Sequence, residues 1–402
     1  MPVNAILSDN KLFAAALFRI MTHIQPGLKD LEFYEFRYAL KPLQPAEGWA
    51  SVPCAPQTEI LARVSQSEYF SAVQLKPQAN GRIVLDASIV QLTQMLFAGL
   101  VKGEYPAVWV RDHFSFDIRG FFFLVNTDYF PEAVRQHFGG EPCCRFEPLQ
   151  QRLEASHEIG YKEFSAANAE VDRAFIDLVQ RLIEVKGTPL LLTLAGPSAA
   201  GKTEIVNRLR EVIAADGKSI TTIEMDNFLK DGDFRDGKPL DKEVIHFELL
   251  KESLAKILRR ETALIPRYDF NTTTSSHDVN SRIKPGREPL KIRPADIVIL
   301  EGNFPFHNPE VARYSGIRVV YLTNDAIRLK RKWQRDIDYR KKYDPVYFCN
   351  RYFRTQFLRA EEVYRPLMQV CDLVVDTTGA ALWMTPDLQR ELGYCHPAVV
   401  ND

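Results

Sequence analysis

Pro189-Leu-Leu-Leu-Thr-Leu-Ala195 runs directly into Gly196-Pro-Ser-Ala-Ala-Gly201-Lys202-Thr203, and these fifteen residues decide the fold. The first seven form a short apolar run, the pattern of a strand buried on both faces. The two glycines that follow let the backbone turn tightly. Residues 203–214 then place Ile205, Val206, Leu209 and Val212 on one helical face. Downstream, 219–225 reads as a strand and 243–259 as a helix. Residues 297–300 and 318–322 are apolar strands, 326–341 and 347–364 are helical, and 373–375 is a last short strand. Strands alternating with helices predict an α/β domain with a mostly parallel sheet flanked by helices.

Upstream of the apolar run, Val171, Phe175, Leu178, Val179, Leu182 and Ile183 recur at helical spacing, and Gly187 closes the pattern. The chain is expected to divide there, into residues 1–186 and 187–402. The first part is harder to read. Leu12, Phe13, Ala16, Leu17, Ile20 and Met21 predict a core-facing helix. Residues 108–118 alternate like a strand, and 121–125 are strongly apolar, so an α+β domain of unknown role is expected. Alternation would put His113 and Asp117 on one face and Asp112 on the other, which argues against a metal site there.

Residues 196–203 match G-x-x-x-x-G-K-[ST] without departure, a phosphate-binding P-loop. Chance would produce these residue types at fixed positions in roughly one chain of this length in a hundred. Here the motif also follows a buried strand and opens a helix. Gly196, Ser198, Ala199, Ala200 and Gly201 bend the backbone so that successive N–H groups form an anion nest. The helix directs its positive end at the same place. Lys202 can reach the β- and γ-phosphates of ATP, and the Thr203 hydroxyl can coordinate Mg²⁺.

Several ordered segments resemble the uridine kinase/phosphoribulokinase family of P-loop kinases over about residues 189–380. Met225-Asp226-Asn227-Phe228 resembles its D-x-F segment. Pro266-Arg-Tyr268-Asp269-Phe270, followed by His277 and Arg282, resembles its P-x-Y-D-F region. Pro294-Ala-Asp-Ile-Val-Ile-Leu-Glu301-Gly302 resembles its apolar strand ending in Glu-Gly, and Arg328, Arg331, Arg335 and Arg340 resemble its arginine-rich lid. The resemblance implies a P-loop kinase domain that uses ATP and Mg²⁺. It implies Asp226 as the carboxylate that takes the acceptor's proton, and Glu301 with Thr203 at the metal. Lys202, Arg331 and Arg335 are implied at the transferring phosphoryl group. Tyr268, Phe270, His277 and Arg340 are the candidates for the acceptor side. The chemistry is consistent: an alcohol acceptor benefits from a nearby carboxylate, and guanidinium suits phosphoryl charge.

The departures fall on the acceptor side. Lys341-Lys342 follows Arg340 where the family has glycine between its lid arginines, and Leu229 stands where its nucleoside kinases have tyrosine. The D-H-P-D-A-F-D segment is reduced to Leu240-Asp241-Lys242-Glu243-Val244-Ile245-His246. The reaction class is therefore better defined than the acceptor. A uridine- or cytidine-like nucleoside leads, with a sugar phosphate, pantothenate or a hydroxy acid as alternatives. A non-kinase P-loop ATPase or nucleotide-binding regulator is the reading from another class. The region where a GTPase would carry N-K-x-D reads Thr323-Asn324-Asp325-Ala326, and no L-S-G-G-Q-like stretch is present.

Composition sets outer bounds. Apolar residues at 46% and charged residues at 26% describe a globular chain, and 402 residues suffice for two domains. A net charge of -1 argues against nucleic acid or an anionic membrane as the main partner. The six cysteines form no C-x-x-C pair, which fits a reducing cytoplasm. Homo-oligomerisation is left open.

Overall fold

The computed structural model describes residues 2–65, 87–117, 122–149, 164–236, 238–324, 327–328, 331–332, 335 and 359–394. The chain forms two compact units. One comprises Met1–Asp128, Gln151–Glu163 and Asn324–Ala360, the other Tyr129–Gln150, Phe164–Thr323 and Glu361–Asp402.

The first unit is mainly helical. The helix Asn10–Ile24 is capped by Asp9, whose Oδ1 accepts from the N–H groups of Lys11 and Leu12, both at 2.8 Å. It buries Phe13, Leu17 and Met21, as its spacing predicts. Phe13 stacks on Trp49 at 3.9 Å between ring centroids, and Phe97 meets Phe116 and Phe123 edge-on. The strand expected from residue 108 begins later. Ala107–His113 is a helix, and only then does β1 (Phe114–Asp117) pair antiparallel with β2 (Phe122–Val125). Val110 is buried while Val108 is 56% exposed, so apolar residues two apart do not share a face. Asp112 pairs with Arg111 and the His113 ring with the Trp109 carbonyl, one helical turn back.

The second unit is built on a seven-stranded sheet. Its strands are β3 (Cys144–Arg145), β4 (Leu190–Ala195), β5 (Ile220–Glu224), β10 (Ile297–Gly302), β11 (Ile317–Leu322), β12 (Leu373–Asp376) and β13 (Ala381–Met384). Two small hairpins lie between β5 and β10: β6 (Ala263–Ile265) with β9 (Leu290–Ile292), and β7 (Tyr268–Asp269) with β8 (Thr274–Ser275). The sheet order is β3-β13-β12-β11-β4-β10-β5. The run from β12 to β5 is parallel, and β13 and β3 add an antiparallel edge. Every residue of β4 and β10 is buried, which explains their unbroken apolar sequence. The helix expected from residue 243 starts instead at Phe247, after a short 3₁₀ turn over Lys242–Val244.

The helix Ala169–Lys186 belongs to this unit. Its Val171, Phe175, Leu178, Val179, Leu182 and Ile183 share one core with Leu192, Leu194, Ile299 and Val319 of the sheet. A boundary at 186/187 thus cuts between this helix and the sheet it covers. A fragment 187–402 would lose the seven buried apolar side chains of this helix, each worth roughly 1.5–3 kcal/mol. Their loss is comparable to the whole stability of an ordinary domain, about 5–15 kcal/mol. We therefore expect 187–402 to show no cooperative thermal transition, whereas 164–402 melts cooperatively. Equal melting of the two fragments would show that the helix contributes little to the core.

Candidate active site

The C-terminal ends of the parallel strands gather the polar residues, as in other open α/β sheets. β4 leaves the sheet at Ala195 and enters the P-loop. A Cβ on Gly196 would collide with the Tyr321 carbonyl oxygen, so only glycine fits at the loop's first position. Ala199 (φ +66°) and Gly201 (φ +108°) are left-handed, the backbone of an anion nest. For Ala199 that conformation is strained, a feature that concentrates at functional sites. Gly201 caps the helix Lys202–Ala215. Lys202 Nζ donates to the carbonyls of Gly196 (2.7 Å) and Pro197 (3.2 Å), which places its ammonium over the loop. From the other side, Thr323 Oγ1 donates to the Ala200 carbonyl at 2.8 Å.

Glu301 is the penultimate residue of β10, next to β4. Thr203 lies beside the Glu301 carboxyl. Burial raises that carboxyl above the usual range; Lys202 and Thr203 oppose this, and Glu224 and Asp226 add to it. Glu301 is 7% exposed, and its Oε2 has no hydrogen-bond partner among the described residues. A buried carboxylate oxygen left over beside a threonine hydroxyl is the donor set that a divalent cation completes. Among the described residues no group of three or more His, Cys, Asp or Glu could hold a metal alone. Nucleotide-bound magnesium needs only one or two protein oxygens besides phosphate and water, so Thr203 and Glu301 fit it.

Asp226 lies in the 3₁₀ turn Met225–Phe228 that follows β5. Glu224, the last residue of β5, is in register with Glu301, and its carboxyl is raised by burial and by Asp226. Glu224 was not singled out from sequence; its place at a strand end, two residues before Asp226, was the available signal. Asn227, next to Asp226, accepts from the Tyr268 N–H at 3.2 Å and so brings the β7–β8 hairpin alongside. The Tyr268 hydroxyl accepts from Arg235 at 2.5 Å, and Phe270 meets the Tyr268 ring edge-on at 5.1 Å. A small recess near Asp226 is lined by Met225, Asp241, Ile245, Phe304, His307 and Asn308.

His277 sits deeper than an acceptor-lining residue would suggest. It is 4% exposed, with Nδ1 at 2.8 Å from Ser276 Oγ and its ring 5.7 Å from that of His246. Of the lid arginines, Arg331 is buried and Arg335 half-buried, both in the segment that clusters with the first unit. Arg340 lies outside the described residues.

His246 is bonded by Ser281 Oγ at 2.9 Å and Ser275 Oγ at 3.2 Å. Burial lowers its imidazole to about 4, with His277 and Lys230 adding to this and Asp231 and Asp278 opposing it. The folded value lies below the unfolded one, near 6.5. Neutral His246 therefore contributes its full stability above about pH 6.5 and loses it as pH falls towards about 4. We expect the melting temperature to fall between pH 7 and pH 5, and His246→Gln, which cannot titrate there, to reduce that slope. An unchanged slope would exclude His246 as its source.

A buried parallel strand, a glycine loop and a helix that opens with Lys-Thr define a P-loop nucleotide-binding domain. Residues 191–381 match the family described as Phosphoribulokinase / Uridine kinase family. The resemblance drawn from the motifs therefore holds over the C-terminal half. The chain is 28% identical over 201 residues to a uridine kinase of Lactobacillus helveticus, across 48% of this chain and 88% of that one. It is 29% identical over 161 residues to a uridine kinase of Leuconostoc citreum, across 38% and 70%. A solved structure of a putative fructose transport system kinase from Silicibacter sp. TM1040 aligns with TM-score 0.38 at 17% identity, over 49% of this chain and 94% of that one. No described helix is long and apolar enough to cross a membrane.

Proposed function

We propose that the protein is a kinase that uses ATP and Mg²⁺ to phosphorylate a hydroxyl of a small metabolite, with a uridine- or cytidine-like nucleoside as the leading acceptor. The observation that carries this reading is the convergence of Lys202, Thr203 and Glu301 at the ends of β4 and β10, with Asp226 just beyond β5. The nest at residues 196–201 and the ammonium of Lys202 bind and orient the phosphates. Thr203 and Glu301 hold the cation, which when bound offsets phosphate charge. Asp226 accepts the proton of the attacking hydroxyl. Arg331 and Arg335 are proposed as lid residues that meet the phosphoryl group, and Tyr268, Phe270 and His277 as determinants of the acceptor side. The relatives named uridine kinase support the choice of nucleoside.

The test is an ATP-consumption screen over nucleosides, sugars, sugar phosphates, pantothenate and small hydroxy acids, with mass detection of products. Phosphorylated uridine or cytidine is the expected product. Phosphorylation of another metabolite alone would move the acceptor while keeping the reaction class. ATP hydrolysis with no phosphorylated product would favour the non-kinase ATPase.

A further inference from the structure

The helix Ala169–Lys186 ends before the first residue matched by the family, and its apolar face carries a carboxylate. Asp172 is 2% exposed, between Val171 and the Phe175 turn. Isolated burial of a carboxylate is costly, and such groups persist where they are paired and hydrogen-bonded. Two groups from distant parts of the chain meet it. Arg208 Nη1 donates to Oδ2 at 2.7 Å, and the Tyr321 hydroxyl donates to Oδ1 at 2.6 Å.

Both partners bear on the P-loop. Arg208 lies on the helix that Lys202 and Thr203 begin. Tyr321 is on β11, and its carbonyl oxygen is what a side chain at Gly196 would strike. The two oxygens of Asp172 thus tie the strand under the loop's first glycine to the helix that closes its other end. A nest binds phosphate well only if its N–H groups are held in place before the ligand arrives, since ordering them on binding would cost affinity. We infer that Asp172 is a positioning residue for the nucleotide site, acting through Tyr321 and Arg208.

The inference rests on the reading of residues 196–203 as a nucleotide site, so the test is binding rather than turnover. Mg·ADP would be titrated calorimetrically into the full chain, as wild type, Asp172→Asn, Tyr321→Phe and Val179→Ala. Val179 is a fully buried residue of the same helix and serves as a packing control. Asp172→Asn keeps the shape but loses the charge that holds Arg208, and about a tenfold loss of affinity is expected. Tyr321→Phe should lose about threefold. Val179→Ala should lower the melting temperature with affinity unchanged. In turnover, Asp172→Asn should raise KM for ATP and leave KM for the acceptor alone. Wild-type affinity in Asp172→Asn, or an equal loss in Val179→Ala, would overturn the inference. Should Asp172→Asn not fold, Tyr321→Phe decides by the same measurement. Absence of Mg·ADP binding by wild type would overturn the nucleotide-site reading itself.

Discussion

Lys202→Ala is expected to lower phosphoryl transfer by about 10³-fold or more while leaving the fold intact. The ammonium of Lys202 is held over the loop by the carbonyls of Gly196 and Pro197. Those two bonds are weak competitors for it beside a phosphate, because an ion pair in a partly buried site outweighs a hydrogen bond to a neutral carbonyl. Charge on the phosphate oxygens redistributes as the γ-phosphoryl group moves, and a fixed cation at this point stabilises it without reorganisation. Alanine removes both the charge and the stem. Lys202→Met keeps most of the stem, so an equal loss in that variant assigns the effect to charge. The measurement is the turnover of ATP with the acceptor found in the screen, alongside circular dichroism. Near wild-type kcat in a folded Lys202→Ala protein would remove phosphoryl transfer at this loop.

Asp226→Asn should lower kcat by at least about 10²-fold with little change in ATP affinity, the usual reach of a positioned general base. Asp226 stands two residues beyond the end of β5, and both Glu224 and Glu301 feel its charge. Asparagine keeps the shape and one acceptor oxygen but cannot take a proton. A residue that only shaped the 3₁₀ turn would tolerate this change in rate and register it in stability. A loose transition state, in which the hydroxyl proton leaves late, would shrink the effect. Single-turnover phosphorylation at saturating ATP distinguishes these outcomes. Equal rates would leave the acceleration to Lys202, the cation and the lid arginines.

The phosphate loop was legible in the sequence because the site is made of contiguous residues. Eight positions set its backbone, and the strand before it and the helix after it could be read from periodicity alone. β10, β11 and β12 were equally legible, because largely buried strands carry mostly apolar runs. β5, which reads Ile220-Thr-Thr-Ile-Glu224 and is only half-buried, carried a weaker pattern. Asp226 and Glu301 were singled out by resemblance to family segments, and the structure sets them just after β5 and near the end of β10. Elements held by distant partners were not legible. The two-residue β3 has no pattern of its own and exists only through its pairing with β13. The hairpins β6–β9 and β7–β8 are likewise too short to carry a period. Residues 108–113 alternate like a strand, yet a helix of seven residues is short enough to imitate alternation.

The sequence by itself determined the glycine-rich loop and the parallel sheet behind it, since one contiguous motif and local periodicity encode them. Only the tertiary structure decided that the helix Ala169–Lys186 belongs to the same core as the sheet. It also placed Glu224 beside Glu301 and buried His277 against His246. Asp172 shows why. It is a charged residue on an apolar helical face, and its partners lie 36 and 149 residues further along the chain. Pairing at that range is set by which surfaces exclude water together, and periodicity along a single segment carries no record of it.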